Sequence, residues 1–560
     1  MRKLILACAA AALAASACIK IDGDLGKGLV DKSLLYDTYT VEFPLEEISL
    51  KRSSDLSGYS SSRVVIGAIR DDVFGLTTRE SAFTLIPALD TLSLGTNPKA
   101  KSMAIYFAAD TVSCADDSQA RILQNVYVTE LTAKLDVKKP ATSTEIAHAD
   151  NVITDGLPVY NGKGALTFSF KKEFAQKYLD GLVSLTGGTG IMVDRSWDDD
   201  KLTDRYNEYT DLLPGIHIRT DQPSGIGGRI NLFGLSCLDV SSSGELYRNN
   251  NIAVLTFTND EFGEDDPQAI LFVPGETSFV DENYYMDEGS RFYQYAFNHT
   301  THEFPEGKPA AGKPLLVEGG GGVKPVVSAL ELQQQTIKAI QDKNGDPTKA
   351  IITKATIVLP FDMTEDYRDM KYFPSILSPT IRQTSKDDEG TEYVQFAGLT
   401  DASVSTENQG DIDRSNLWYS PDISYHLQQI LKRDDLDTKG DADIWFLTIF
   451  TEQVAEATNT SQNAYLQQLM YASYYNSLYG GGYGYGGYGG YGGYGYGGYG
   501  NSYSNYYTYA MLANMLSQSS QAQYSTSTEL DKDRYYKGVL CGPDSDRTPF
   551  FRVTFAISKD

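Results

Sequence analysis

Ten short runs rich in β-branched and aromatic residues, each bounded by turn formers, constrain the fold of this chain most. They fall at 63–69, 102–108, 126–131, 165–170, 215–219, 229–233, 252–257, 351–359, 444–450 and 550–557. Runs of this kind read as strands, and strands recurring with few helices between them read as antiparallel sandwiches or jelly rolls. Helical periodicity is limited to 172–182, 330–342 and 425–432 and a late pair at 464–478 and 507–517. The expected fold is mainly β: two antiparallel β-sandwich or jelly-roll-like domains, a few short helices and one unusual insertion. With 560 residues the chain has room for more than one core. The polar stretch 241–251 sets the expected boundary, between an N-terminal domain over 36–247 and a C-terminal domain over 248–560. An order of strand, long excursion, helix, strand, strand recurs in both halves. It suggests a worn duplication of topology without detectable identity.

The N-terminus is a targeting segment. Arg2 and Lys3 precede an apolar run of about twelve residues, too short to span a ~30 Å hydrocarbon core. That run ends in Leu13-Ala14-Ala15-Ser16-Ala17-Cys18, small residues before a cysteine, which is similar to the bacterial lipobox. The reading is a signal peptide over 1–17 and a mature chain that begins at an acylated Cys18. Several acyl chains on one residue make a stable anchor where a single chain does not. Residues 18–35 then form an acidic tether. Asp22 and Asp24 look like the export signal that sends Bacteroidota lipoproteins to the cell exterior. The remaining mature cysteines, Cys114, Cys237 and Cys541, are widely spaced and match no metal motif or disulfide framework. A Cys114–Cys237 pair is compatible with an oxidising compartment, but buried thiols are the simpler expectation.

Residues 457–528 contain no Asp, Glu, Lys, Arg or His, although 22% of the whole chain is charged. The centre, 479–500, is almost wholly glycine and tyrosine, and flanking pieces at 464–478 and 507–517 carry Leu, Met and Tyr at helical spacing. Glycine at this density leaves too much backbone entropy for a packed core. Tyrosine, by contrast, offers a large amphipathic contact area on few torsions. The segment reads as an insertion between neighbouring strands, with Tyr479, Tyr483, Tyr488, Tyr491, Tyr494 and Tyr499 as candidate partner contacts. Disorder with weak self-association is the competing reading.

Charge and motif searches narrow the chemistry. Lys and Arg number 48 against 74 Asp and Glu, a formal charge of −26, and nucleic acid is therefore an unfavourable partner. Asp342-Lys343-Asn344-Gly345-Asp346 resembles the start of a calcium loop but lacks its glycine and terminal glutamate, so a helix-to-strand turn fits better. The acidic clusters 259–266 and 197–200 read as solvated loops. His299 and His302 fall on opposite faces of a strand, which is poor geometry for one metal. Gly319–Gly322 lacks the Lys-Ser/Thr ending of a phosphate loop, and its glycines point to a positive φ or a close backbone approach. No nucleophile elbow is present. No cofactor, metal or catalytic residue is expected, and Thr91 and Thr111 stand in candidate O-glycosylation sequons, Asp90-Thr91-Leu92 and Asp110-Thr111-Val112.

Several phrases resemble the Bacteroidota lipoproteins grouped as domain of unknown function 4270. They are VIGAIRDDVFG at 65–75, LLVEGGGGVK at 315–324, IITKATIVLP at 351–360 and YKGVLCG at 536–542, followed by Arg547-Thr548-Pro549. The similarity runs from about residue 20 to 557, and the Gly/Tyr insertion departs from it. The resemblance implies a surface-facing outer-membrane lipoprotein and carries no catalytic residues. Its implied partners are large outer-membrane assemblies, including the machinery that builds β-barrels. The expected function is that of a non-enzymatic structural or interaction subunit contacting an integral β-barrel protein and other lipoproteins. The alternative is a glycan-binding surface lipoprotein using Trp197, Trp418 and the tyrosines as stacking platforms, an argument from fold analogy alone.

Overall fold

The computed structural model describes residues 36–558 except 61–62, 115, 195, 236–237, 241–245, 249–250, 264–266, 276–278, 280–294, 304–313, 365, 387–389, 391, 400–409 and 457–522. It is mainly β, built from antiparallel sheets with few helices. All ten expected strands and the helices expected at 172–182, 330–342 and 425–432 are present within a few residues of their anticipated ends, and the late helical pair at 464–478 and 507–517 lies outside the described residues. Their grouping differs from the expected one.

The first body holds two sheets. One is ten-stranded, in the order β10 (His148–Val152), β9 (Gln124–Leu131), β13 (Ile216–Thr220), β5 (Gly75–Phe83), β4 (Arg63–Asp71), β14 (Gly227–Gly234) and β8 (Ala109–Cys114). To its side are joined β3 (Tyr59–Ser60), β11 (Val159–Tyr160) and β19 (Ala296–Glu303). The other sheet runs β12 (Leu166–Ser169), β7 (Lys99–Phe107), β17 (Ala253–Thr258), β18 (Gln268–Pro274) and β6 (Leu85–Pro87). Phe83, Phe107, Phe233, Phe257 and Phe272 are buried in the single core they share. Helix α1 (Lys172–Thr186) lays Phe174, Tyr178 and Leu182 into that core and ends at Gly187, whose φ of 57° suits glycine.

The second body also holds two sheets around one core. The first is β1 (Tyr36–Pro44), β30 (Phe550–Ser558), β22 (Ile351–Pro360), β26 (Trp418–Tyr419) and β25 (Ile412–Asp413). The second is β2 (Ile48–Arg52), β21 (Val323–Val327), β27 (Ile444–Glu456), β23 (Ile376–Lys386) and β24 (Glu392–Gly398), with β28 (Gln523–Leu530) along β27. Val327, Leu377 and Phe446 from one sheet meet Ile357, Val553 and Phe555 from the other.

A boundary at 247/248 does not describe this pairing. Strands β17, β18 and β19 lie beyond it, yet they pair with β7, β6 and β5 of the first body. Strands β1 and β2 precede it, yet they pair with β30 and β21 of the second. The polar stretch that marked the boundary contains β16 (Leu246–Arg248), which pairs with β15 (Leu238–Val240) just before it. Polarity of a local segment reports solvent contact, whereas the sheet to which a strand belongs is decided by partners hundreds of residues away. The suspected duplication is likewise limited. In each half a helix lies over a long strand, α1 on β7 and Ser424–Ile430 on β22. The two strands that follow share a sheet in the first half (β13, β14) and are split between sheets in the second (β27, β30).

Candidate functional site

Two features draw the functional residues together: the root of the Gly/Tyr insertion and a buried charged seam into which that root runs. The insertion was expected between the strands at 444–450 and 550–557 as neighbours. Those strands lie in different sheets. From Ile449 onward β27 pairs with β28, in register from Ile449↔Leu530 to Glu456↔Gln523. Residues 457–522 leave and return at adjacent positions at the end of this two-stranded ribbon, and they lie outside the described residues, with Tyr479, Tyr483, Tyr488, Tyr491, Tyr494 and Tyr499 among them.

The return strand leads directly into Asp531-Lys532-Asp533-Arg534-Tyr535-Tyr536, which crosses between the bodies. Asp531 is fixed by Thr448, whose hydroxyl donates to its carbonyl at 2.9 Å, and by Tyr536, whose hydroxyl donates to Oδ2 at 2.6 Å. Lys532 Nζ donates to the Tyr59 carbonyl, and Ser60 Oγ donates to Asp533 Oδ2 at 3.3 Å. Tyr535 packs with Val65, Ile69, Ile230 and Leu232 of the ten-stranded sheet.

The glycine turn 319–322 completes the seam. It joins β20 (Leu315–Glu318), which pairs with β29 (Lys537–Leu540), to β21. Gly320 has φ +56°, and a Cβ there would lie 2.2 Å from an Arg79 guanidinium nitrogen. Arg79, wholly buried, donates to Thr300 Oγ1 and to the Lys532 carbonyl at 3.3 Å. Lys324 Nζ donates to the Gly320 and Gly322 carbonyls at 3.2 and 3.3 Å. Glu318 accepts from the Val323 N–H at 3.0 Å and lies 3.1 Å from His302 Nδ1. Close approach is what the glycines permit.

Burial sets the protonation of this cluster. Desolvation lowers Lys324 to about 7, against the pull of Glu318. Burial alone would raise the Glu318 carboxyl, but His302, the Val323 N–H and Lys324 together hold it below its ordinary value. Burial lowers Arg79 as well, opposed by Asp533 and Glu318. Removing one member of such a set typically costs about 3–5 kcal/mol, because an uncompensated charge stays behind.

Other anticipated residues fall elsewhere. Cys18 and Cys237 lie outside the described residues, while Cys114 and Cys541 are buried free thiols. Thr91 is exposed, and Thr111 is half-buried on β8 opposite Leu232. The 342–353 stretch is a helix-to-strand turn between Ala329–Asp342 and β22. The acidic cluster at 197–200 is not a loop: it opens helix α2 (Asp199–Leu212), with the Asp198 carboxylate capping the Lys201 N–H at 2.9 Å. Trp197 is half-buried on the first core with Lys201 Nζ 4.1 Å over its ring, and Trp418 is half-buried in β26. A constellation absent from the sequence reading is Glu80 with three histidines. His217 Nε2 lies 3.0 Å from Glu80, His148 stacks on His217 at 4.2 Å, and His299 sits opposite Glu80 on β19. These side chains come from four strands, so no local spacing announces them.

Among the described residues no group of three or more His, Cys, Asp or Glu is arranged to hold a metal, and no helix is long and apolar enough to cross a membrane. Comparison with family models, with curated proteins and with solved structures gives no match.

Proposed function

We propose that this protein is a lipid-anchored outer-membrane subunit that faces the cell exterior and uses its Gly/Tyr insertion as an arm to hold an integral β-barrel partner and neighbouring lipoproteins. The observation that carries the reading is the closure of the β27–β28 ribbon at Glu456↔Gln523 and its continuation into the seam. An uncharged stretch of 66 residues, holding 16 of the 38 tyrosines, hangs from a base fixed to both bodies. On a mature chain of formal charge −28 (−26 less the Arg2 and Lys3 charges), such a stretch is the surface least repelled by an acidic or apolar neighbour. Eighteen tether residues, 18–35, span at most about 60 Å, so the body works within that distance of the bilayer.

Membrane fractionation of wild type and Cys18→Ser tests the anchor. The wild-type protein is expected in the outer-membrane fraction with an acyl-modified N-terminal residue, and the variant outside it. Recovery of wild type in the culture fluid with an unmodified amino terminus contradicts the proposal.

A further inference from the structure

Beside the seam a cleft of ≈ 670 Å³ opens between the two bodies. Its floor is apolar. Phe74 and Leu540 are each 1% exposed, and Phe373, Val539 and Pro314 line it with them. Its mouth is acidic: Asp72, Asp362, Asp369 and Asp544 are exposed carboxylates with no ion-pair partner among the described residues. The cation in the lining, Lys537, is already engaged, 3.3 Å from Asp71 Oδ2 and 5.0 Å from the Tyr372 ring centre. The segment that supplies Asp362, Thr364 and Asp369 also exposes Met363 (54%) and Tyr367 (75%), and Val73 beside Asp72 is 44% exposed.

We propose that this cleft is a docking site for a cationic peptide segment, one bulky apolar side chain seated on the Phe74–Leu540 floor with flanking Lys or Arg side chains on the four mouth aspartates. Charge complementarity selects the occupant. An anionic or phosphorylated ligand meets four carboxylates that form no ion pair among the described residues. A small metal ion or a polyamine leaves the floor unused, since neither carries an apolar side chain. The volume lies within the range of clefts that bury a drug-sized group, about 300–1,000 Å³. Exposed Met and Tyr at the rim are residue types that adapt to peptide surfaces. The site does not depend on the anchor or the arm.

The test uses the purified mature chain and fluorescence anisotropy of a fluorescein-labelled hexapeptide of alternating Lys and Leu. Alternating Lys–Ser and Glu–Leu hexapeptides serve as comparison probes. The Lys–Leu peptide is expected to bind best, and Asp72→Asn/Asp362→Asn/Asp369→Asn/Asp544→Asn to weaken it at least about tenfold. A control set on α2, Asp199→Asn/Asp200→Asn/Asp204→Asn/Glu208→Gln, removes the same charge elsewhere and is expected to leave affinity within about twofold. Thermal melts of both variants verify the fold. A chain lacking 457–522 should bind the Lys–Leu peptide as well as the full chain does, which separates this site from the arm. Equal loss in the two charge variants, equal binding of Lys–Leu and Glu–Leu peptides, or loss on deleting the arm overturns the proposal.

Discussion

The two bodies have similar cores and opposite ways of being assembled. The first is drawn from one continuous stretch, 57–303, in which β4 and β5 form a hairpin and most partners lie within the same stretch. The second is gathered from both ends of the chain. Strand β1 pairs along its whole length with β30, from Tyr36↔Ser558 to Pro44↔Phe550, and Thr40 meets Thr554 at 2.9 Å across 514 residues. Contacts at such separation are slow to form, because loop closure precedes any gain from pairing. The first body therefore closes its own sheets within one stretch, with Tyr535 added from outside it, and the second is expected to depend on a short N-terminal segment held next to the expected tether.

The sharpest way to break this contrast is to remove that segment. Deleting 36–52 takes away fully buried Leu45 and the partly buried Tyr39, Val41, Phe43, Ile48 and Leu50. At about 1.5–3 kcal/mol for each fully buried side chain, the loss is on the order of 5–10 kcal/mol, comparable with the whole stability of a domain. Hydrogen exchange should then show the second body unprotected and β4, β5, β13 and β14 still protected. Equal loss in both bodies would make them one cooperative unit, and no loss would remove the dependence.

A smaller effect sharpens the comparison through pH. His217 and His299 in the first body and His426 in the second are lowered by burial. Each binds its proton less readily folded than unfolded, so its contribution is present above the unfolded value and is lost as pH falls through the histidine range. Lys324, lowered to about 7, disfavours the fold while charged and does so less as pH rises from about 7 toward its unfolded value. Glu318, held below its ordinary value, stabilises above the unfolded carboxylate range and loses that effect in acid. All of these act in one direction. The melting temperature should fall by a few degrees between about pH 7.5 and about pH 5.5, with exchange at the seam rising before exchange in either core. A flat profile would contradict the neutral-histidine account.

Much of the fold was legible because strand periodicity is local. The run at 126–131, for example, becomes β9 with Val126, Val128 and Leu131 buried. Helix α2 was missed because its acidic opening reads as a loop. The signal was there: a capping Asp198, acids in the first turn, and Leu202, Tyr206, Tyr209 and Leu213 at helical spacing. The division between bodies was not legible, since nothing in 36–52 announces a partner at 323–327 or 550–558. The glycine turn was read correctly as a place of close approach, but its neighbours Arg79 and His302 come from distant strands. The same holds for Glu80 and its histidines, and for the cleft, whose floor and mouth meet only after both bodies are docked.

Under the proposed function, the uncharged arm, fixed at the β27–β28 root, makes the contact with an integral partner. Its most direct measurement is cross-linked affinity capture from detergent-solubilised membranes, with the full chain and with a chain lacking 457–522 compared by quantitative mass spectrometry. A β-barrel protein is expected with the full chain and about tenfold or more less of it after the deletion, a loss of roughly 1.4 kcal/mol or more. Equal capture by both chains, or recovery of the full chain as an isolated monomer, would contradict it.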